Sequence, residues 1–281
     1  MPGTLFVVST PIGNLEDITL RAIRVLSEVD LIACEDTRHT RKLLNHYDIK
    51  TRTISYHEHN ERERTRELIG SLQTGMNIAL VSDAGTPGIS DPGYTLINQA
   101  VRSDLQVVSV PGPTALISAL VVSGLPADEF LFVGFLPPRA QARRRKLQEL
   151  AQISATLVFY EAPHRIQSTL KDMSEILGNR QAALGRELTK LHEELLRGTL
   201  SELASQFNSG SQPRGELVVI VDQNVIASKE PKSTGDLGAL VAALESEGLD
   251  PRSALKQAAK KLGIKRSDAY REMMELRRKK G

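Results

Sequence analysis

This chain of 281 residues carries one cysteine, Cys34, so no disulfide framework is open to it. Cys34 lies inside the apolar run Leu31-Ile32-Ala33-Cys34 and reads as a core thiol rather than a nucleophile. The lack of disulfides fits a reducing cytosol. No uninterrupted apolar segment is long enough to span a bilayer. The run Thr4 to Ser9 is too short for a signal segment and has no basic stretch before it. A cytoplasmic protein without membrane contact is expected. Neither G-x-G-x-x-G nor a Walker lysine occurs, which removes the common dinucleotide and mononucleotide phosphate motifs. His57 and His59 flank Glu58, but spaced i and i+2 without further Cys or His they read as polar loop residues, and no metal is expected.

A hydrophobic share of 40% with 25% charged residues is that of a globular protein, and the length calls for two or three domains rather than one core. The net charge of +2 hides an asymmetry. From Lys229 to Gly281, 13 Lys/Arg stand against 8 Asp/Glu, on a body that is slightly acidic. Such a tail either meets a polyanion or is a solvated, lysine-rich helical surface.

Ile78 to Tyr94 organises the rest. Ile78 to Val81 is a short apolar run of the kind found in strands buried on both faces. It stops at Ser82-Asp83 and passes into Gly85, Pro87, Gly88, Pro92 and Gly93, with Thr86, Ser90 and Asp91 between them. Glycines let a ligand approach the main chain and prolines stiffen the loop. Open α/β sheets bind ligands at this end of their strands, although an ordinary strand-to-helix turn has similar composition. Leu5 to Ser9, Asp30 to Cys34 and Leu105 to Val110 read as companion strands. The helices Thr19–Glu28, Glu61–Leu72, Thr95–Val101 and Ala115–Ser123 alternate with them. This repeat predicts a parallel or mixed sheet covered on both faces.

Gly124 to Asp128 reads as a boundary. Phe130 to Phe135 alternates, which predicts antiparallel pairing. Arg143-Arg144-Arg145-Lys146 opens a helix with cations that oppose its dipole, so either phosphate binding or a solvated face is expected there. The expected domains are 1–125, 126–224, a polar linker over 225–235 and a basic helical domain over 236–281. Three short helices in that last domain, the third over Ser267 to Arg277, have the pattern of a helix-turn-helix.

Five motifs in order carry a resemblance over essentially the whole chain: V-S-T-P-I-G-N-L near the start, E-D-T-R at Glu35, S-D-A-G-T-P-G-I-S-D-P-G from Ser82, P-G-P-T-A from Pro111 and Y-E-A-P-H-R from Tyr160. Together they resemble the tetrapyrrole methylase superfamily, and within it the branch that methylates ribosomal RNA. The resemblance implies two α/β domains with S-adenosylmethionine (S-adenosyl-L-methionine) in the cleft between them, usually as a homodimer. It also implies 2′-O-methylation of a cytidine ribose in the decoding region of 16S rRNA, within the small ribosomal subunit. By the same resemblance the cofactor lies against Pro11, Asp83, Ala84, Gly85, Thr86, Ala115, Tyr160, Leu188 and Gly215. The hydroxyl needs a base or a cation, and Glu35, Asp36 and Arg38 are the first candidates, with His57 as a further base. The alternative is that Glu35 and Asp36 cap a helix and Arg38 pairs with them. Methylation of a small ring substrate, or a nucleic-acid-binding regulator that senses a small ligand, are the rival functions.

Overall fold

Short apolar runs that stop at Gly, Pro or Asp become the strands of two sheets in a computed structural model that describes residues 1–207, 215–223, 234–246, 248–262, 269–270 and 273. The chain divides into two compact units, 1–224 and 225–281.

The first sheet holds β1 (Thr4–Val8), β2 (Leu31–Cys34), β3 (Thr53–Ser55), β4 (Ile78–Val81) and β5 (Gln106–Val110), in the order β3-β2-β4-β1-β5. Every pairing is parallel. β2 and β4 are central and buried at every residue, which is why both read as unbroken apolar runs. β5 is an edge strand, and its polar Gln106 and Ser109 face solvent. Between the strands run α1 (Leu20–Glu28), α2 (Thr37–His46), α3 (Glu61–Gln73) and α4 (Tyr94–Arg102). Thr19 caps α1 by accepting the Ala22 N–H. Leu26 of α1 and Leu43 of α2 pack on one face of the sheet, and Leu68 of α3 and Leu96 of α4 on the other. Right-handed crossovers require this split, because β1 connects toward β2 while β4 connects the opposite way to β5. The carboxyl ends of β1 and β4 are therefore the switch point where a crevice opens.

α5 (Ala115–Ser123), capped by Thr114, carries the chain to the second sheet and packs on it through Leu116, Ala119 and Leu120. That sheet holds β6 (Phe130–Phe135), β7 (Thr156–Glu161), β8 (Gln181–Arg186), β9 (Glu194–Thr199) and β10 (Leu217–Val221), in the order β6-β7-β10-β8-β9. α6 (Ala140–Leu150), α7 (Ile166–Leu177) and α8 (Leu200–Gln206) cover its other face. The antiparallel pairing expected of Phe130 to Phe135 is corrected here. β6 runs parallel to β7, because the α6 crossover returns the chain to the same end of the sheet. β6 is an edge strand, and the antiparallel pairs are those of β10 with β7 and β8, and of β8 with β9.

The α6 cations meet carboxylates of the protein itself. Arg143 is buried, its Nε donating to Asp172 Oδ2 at 2.7 Å, and Arg144 bridges Asp172 and Glu175 at 2.6 and 2.7 Å. Arg145 and Lys146 pair with Glu149. These cations tie α6 to α7 and to its own next turn.

In the second unit, α9 (Thr234–Ser246) and α10 (Pro251–Leu262) bury Leu237, Val241 and Leu244 against Ala254 and Ala258, and Ala269 joins the same cluster. α9 starts inside the linker expected over 225–235. The rest of that linker, the loop 211–214 and most of the third tail helix lie outside the described residues. Among the described residues, no helix is long and apolar enough to cross a membrane.

The buried Arg143–Asp172 pair has a measurable consequence. Asp172→Ala leaves a buried guanidinium short of its partner and should lower unfolding stability by about 3 kcal/mol. Arg143→Met added to Asp172→Leu should recover most of it, which urea titration of the three proteins checks.

Candidate active site

Two main-chain hydrogen bonds lash the organising loop to the end of β1: Thr10 N–H to Gly85 O at 2.9 Å and Gly85 N–H to Thr10 O at 3.1 Å. Gly85 has φ +82°, a left-handed conformation that side-chain-bearing residues adopt only with strain. Ser9 and Thr86 hydroxyls add a contact at 2.8 Å. Asp83 Oδ1 accepts the Asp36 N–H at 3.0 Å, so one carboxylate joins the ends of β4 and β2. At the far end of the loop, Glu61 Oε1 receives the Tyr56 hydroxyl at 3.0 Å and the Gly93 N–H at 3.4 Å.

The second sheet supplies the facing wall. Tyr160 on β7 and Phe135 on β6 set their rings edge to face with centroids 5.7 Å apart. Gly215 and Glu216, with the start of β10, complete that side. Gly215 allows a close approach that nothing larger would, since a Cβ there would lie 2.0 Å from Glu187 Oε1. That same oxygen accepts the Glu216 N–H at 3.1 Å and pairs with Lys190 at 2.9 Å. The cleft between the walls has a volume of ≈ 430 Å³, within the range of about 300–1,000 Å³ of small-molecule sites.

Of the residues singled out from sequence, Asp83, Ala84, Gly85, Thr86, Ala115, Tyr160, Gly215 and Glu35 line this cleft. Pro11 is buried beside Ile12, which lines the cleft in its place. Leu188 is buried behind the wall in the same apolar cluster as Ile12 and Tyr160. Asp36 is the N-cap of α2: its Oδ1 accepts the Arg38 N–H at 2.8 Å, and its two oxygens hold the Arg38 guanidinium at 3.1 and 2.8 Å. The hydrogen bonds from Arg38 hold this carboxyl down at about 2. Asp36 and Arg38 thus form the cap-and-pair arrangement, and Glu35 does not share in it. His57 stands outside the cleft lining. Its N–H donates to Asn60 Oδ1 at 2.8 Å, and its buried Nδ1 meets no partner among the described residues.

A family model described as Tetrapyrrole (Corrin/Porphyrin) Methylases matches residues 4–204. The chain is 48% identical over 271 residues to a Ribosomal RNA small subunit methyltransferase I of Halalkalibacterium halodurans, covering 95% of this chain and 93% of that one. It is 46% identical to the protein of the same name from Synechocystis sp., covering 98% of each. The chain belongs to the tetrapyrrole methylase family, in its ribosomal RNA small subunit methyltransferase I branch. Its fold is shared with a uroporphyrin-III C-methyltransferase from Thermus thermophilus, solved in complex with S-adenosyl homocysteine. That structure gives a TM-score of 0.55 at 21% identity, over 78% of this chain and 97% of that one.

In this member of the family the cleft holds one residue that sequence reasoning passed over as part of a turn. Asp91 returns to the lining because the loop doubles back, with the Gly88 N–H on Pro92 O at 3.2 Å and Ser90 at φ +63°. Only the closed loop could reveal this, since Asp-Pro-Gly reads as ordinary turn chemistry. Burial, then the charge of Glu35, pushes the Asp91 carboxyl up to about 6, against a smaller opposing effect of the Ser82 hydroxyl. Glu35 is also raised, by burial first and Asp83 second.

A carboxyl raised on folding favours the folded state below its unfolded pKa and loses that contribution as pH climbs through its folded pKa. Asp91→Asn should therefore raise Tm above neutral pH, and its advantage should vanish by about pH 4, near the unfolded Asp value. Melting curves across that window check the sign.

Proposed function

We propose that this chain transfers the methyl group of S-adenosylmethionine to the ribose 2′-hydroxyl of a cytidine in the decoding region of 16S rRNA. The observation that carries the reading is a cleft whose carboxylates lie opposite an aromatic wall, in a chain nearly half identical to named ribosomal RNA methyltransferases. The residues present fit the cofactor. Tyr160 and Phe135 offer an aromatic wall, and the loop Asp83 to Thr86 offers main-chain groups beside a carboxylate. Ile12 and Ala115 close the floor, with Pro11 and Leu188 packed behind, and Gly215 leaves room at the rim. The cofactor supplies an activated methyl group with its own leaving group, so the protein has to align the acceptor and take its proton.

Asp91 is the group best suited to accept the hydroxyl proton, because a base is most effective when its pKa lies near the working pH. Burial, and then the charge of Glu35, keep its pKa raised. Asp36 and Arg38 act through position: Asp36 offers its N–H to Asp83, and Arg38 holds the Asp36 carboxylate. His57 is a reserve base only if the loop His57–Asn60 turns inward. The basic tail over 236–281 supplies affinity for the RNA, and the working form is a homodimer on the small subunit.

Labelled methyl transfer to purified small subunits, with uroporphyrin-type rings as the competing substrate, tests the class. The label should appear in 16S rRNA as an alkali-resistant dinucleotide, the mark of a blocked 2′-hydroxyl. Label on the ring alone, or on neither, overturns the reading. Asp91→Asn should lower kcat by about 100-fold or more while cofactor affinity by calorimetry stays near the parent's. Parental activity should rise with pH through about 6. Full turnover in the variant would remove Asp91 as the base.

A further inference from the structure

The cleft is an awkward place for a polyanion. Glu35, Asp83, Asp91 and Glu216 all line it, so a phosphate chain delivering one ribose there would meet repulsion inside the cleft. Attraction has to come from the rim.

α2 provides it. The helix is capped by Asp36, whose N–H rests on the cleft residue Asp83, and Glu35 just before it lines the cleft. Arg38, Arg41 and Lys42 stand at i, i+3 and i+4 and share one exposed face, while Thr40, Leu43 and Leu44 are buried toward the sheet. From Asp36 to Lys42 the row runs away from the cleft over about 9 Å, at 1.5 Å per residue.

Arg41 and Lys42 meet no carboxylate within ion-pair distance among the described residues, whereas all four α6 cations do. Nor do they serve the helix: Arg38 and Lys42 are like charges at i and i+4, which repel, and Arg38 in the first turn opposes the dipole. Two unneutralised cations beside the paired Arg38, on a face that leads to an acidic cleft, suit an anionic partner.

We infer that the Arg38–Arg41–Lys42 face of α2 is a track for the phosphates of single-stranded RNA, fixing the register at which one ribose enters the cleft. This rests on the methyl-transfer reading above. Phosphate contacts of this kind position a strand without reading its sequence. Arg38 keeps free N–H donors on an 89% exposed side chain even while paired with Asp36.

The test is Arg41→Gln with Lys42→Gln, two exposed sites where glutamine preserves helix propensity. Binding to 16S rRNA and to small subunits is measured over a salt series, beside Lys171→Gln on α7 as the charge control. The double variant should lose about 1.4 from the slope of log K against log salt, at about 0.7 per single-strand phosphate. Its KM for subunits should rise while kcat at saturation and cofactor affinity stay unchanged. An unchanged slope, or an equal loss per charge in the control, overturns the track. Parent protein that binds anionic vesicles but not RNA overturns it too. Failure of the underlying reading shows separately, as RNA binding without methyl transfer by the parent.

Discussion

Reciprocal hydrogen bonds between Thr10 and Gly85 are the constraint on which the cleft depends. They join the ends of β1 and β4, the two neighbours whose connections leave in opposite directions, and so hold the crevice at the switch point to one shape. Everything after Gly85 inherits that fixed start. The loop turns on left-handed Gly85 and Ser90, closes through Gly88 and Pro92, and is pinned at Gly93 by Glu61. Rigidity matters because an alignment error of an ångström is costly in group transfer. A loop tied at both ends delivers its side chains to one place.

The electrostatics follow from the same closure. Bringing Asp91 back beside Glu35 and Asp83 leaves the Asp91 and Glu35 carboxyls partly desolvated among negative charge, which disfavours the charged forms of these two. Asp36 escapes because it is spent on a helix cap and a guanidinium in open solvent. Four neighbouring acids thus divide into one fixed cap, one main-chain tether and two groups whose carboxyls are raised by burial and by one another's charge. Such separation of pKa values by environment is what acid–base chemistry requires. The cations are sorted in parallel: Arg143 and Arg144 of α6 hold that helix to α7, whereas Arg41 and Lys42 of α2 stand exposed without a carboxylate partner among the described residues.

The sequence by itself determined the elements whose causes are local. β2 and β4 are legible because a central parallel strand is apolar on both faces. α1 and α5 begin at Thr19 and Thr114 because a hydroxyl there satisfies an orphan N–H. Ordered Gly/Pro loops at several strand ends carried the family resemblance, and the structure brings seven of the nine residues named from it to one cleft. Only tertiary structure decided the rest. β6 pairs parallel because a crossover helix, not its own alternation, sets its direction. Arg143 and Arg144 bind Asp172, nearly thirty residues on, and no local pattern names that partner. Asp36 and Arg38 fall to the helix end, while Asp91 enters the site through a fold in the loop. Period and capping act over a few residues of chain, whereas burial, charge neighbours and strand direction depend on which distant segments arrive alongside.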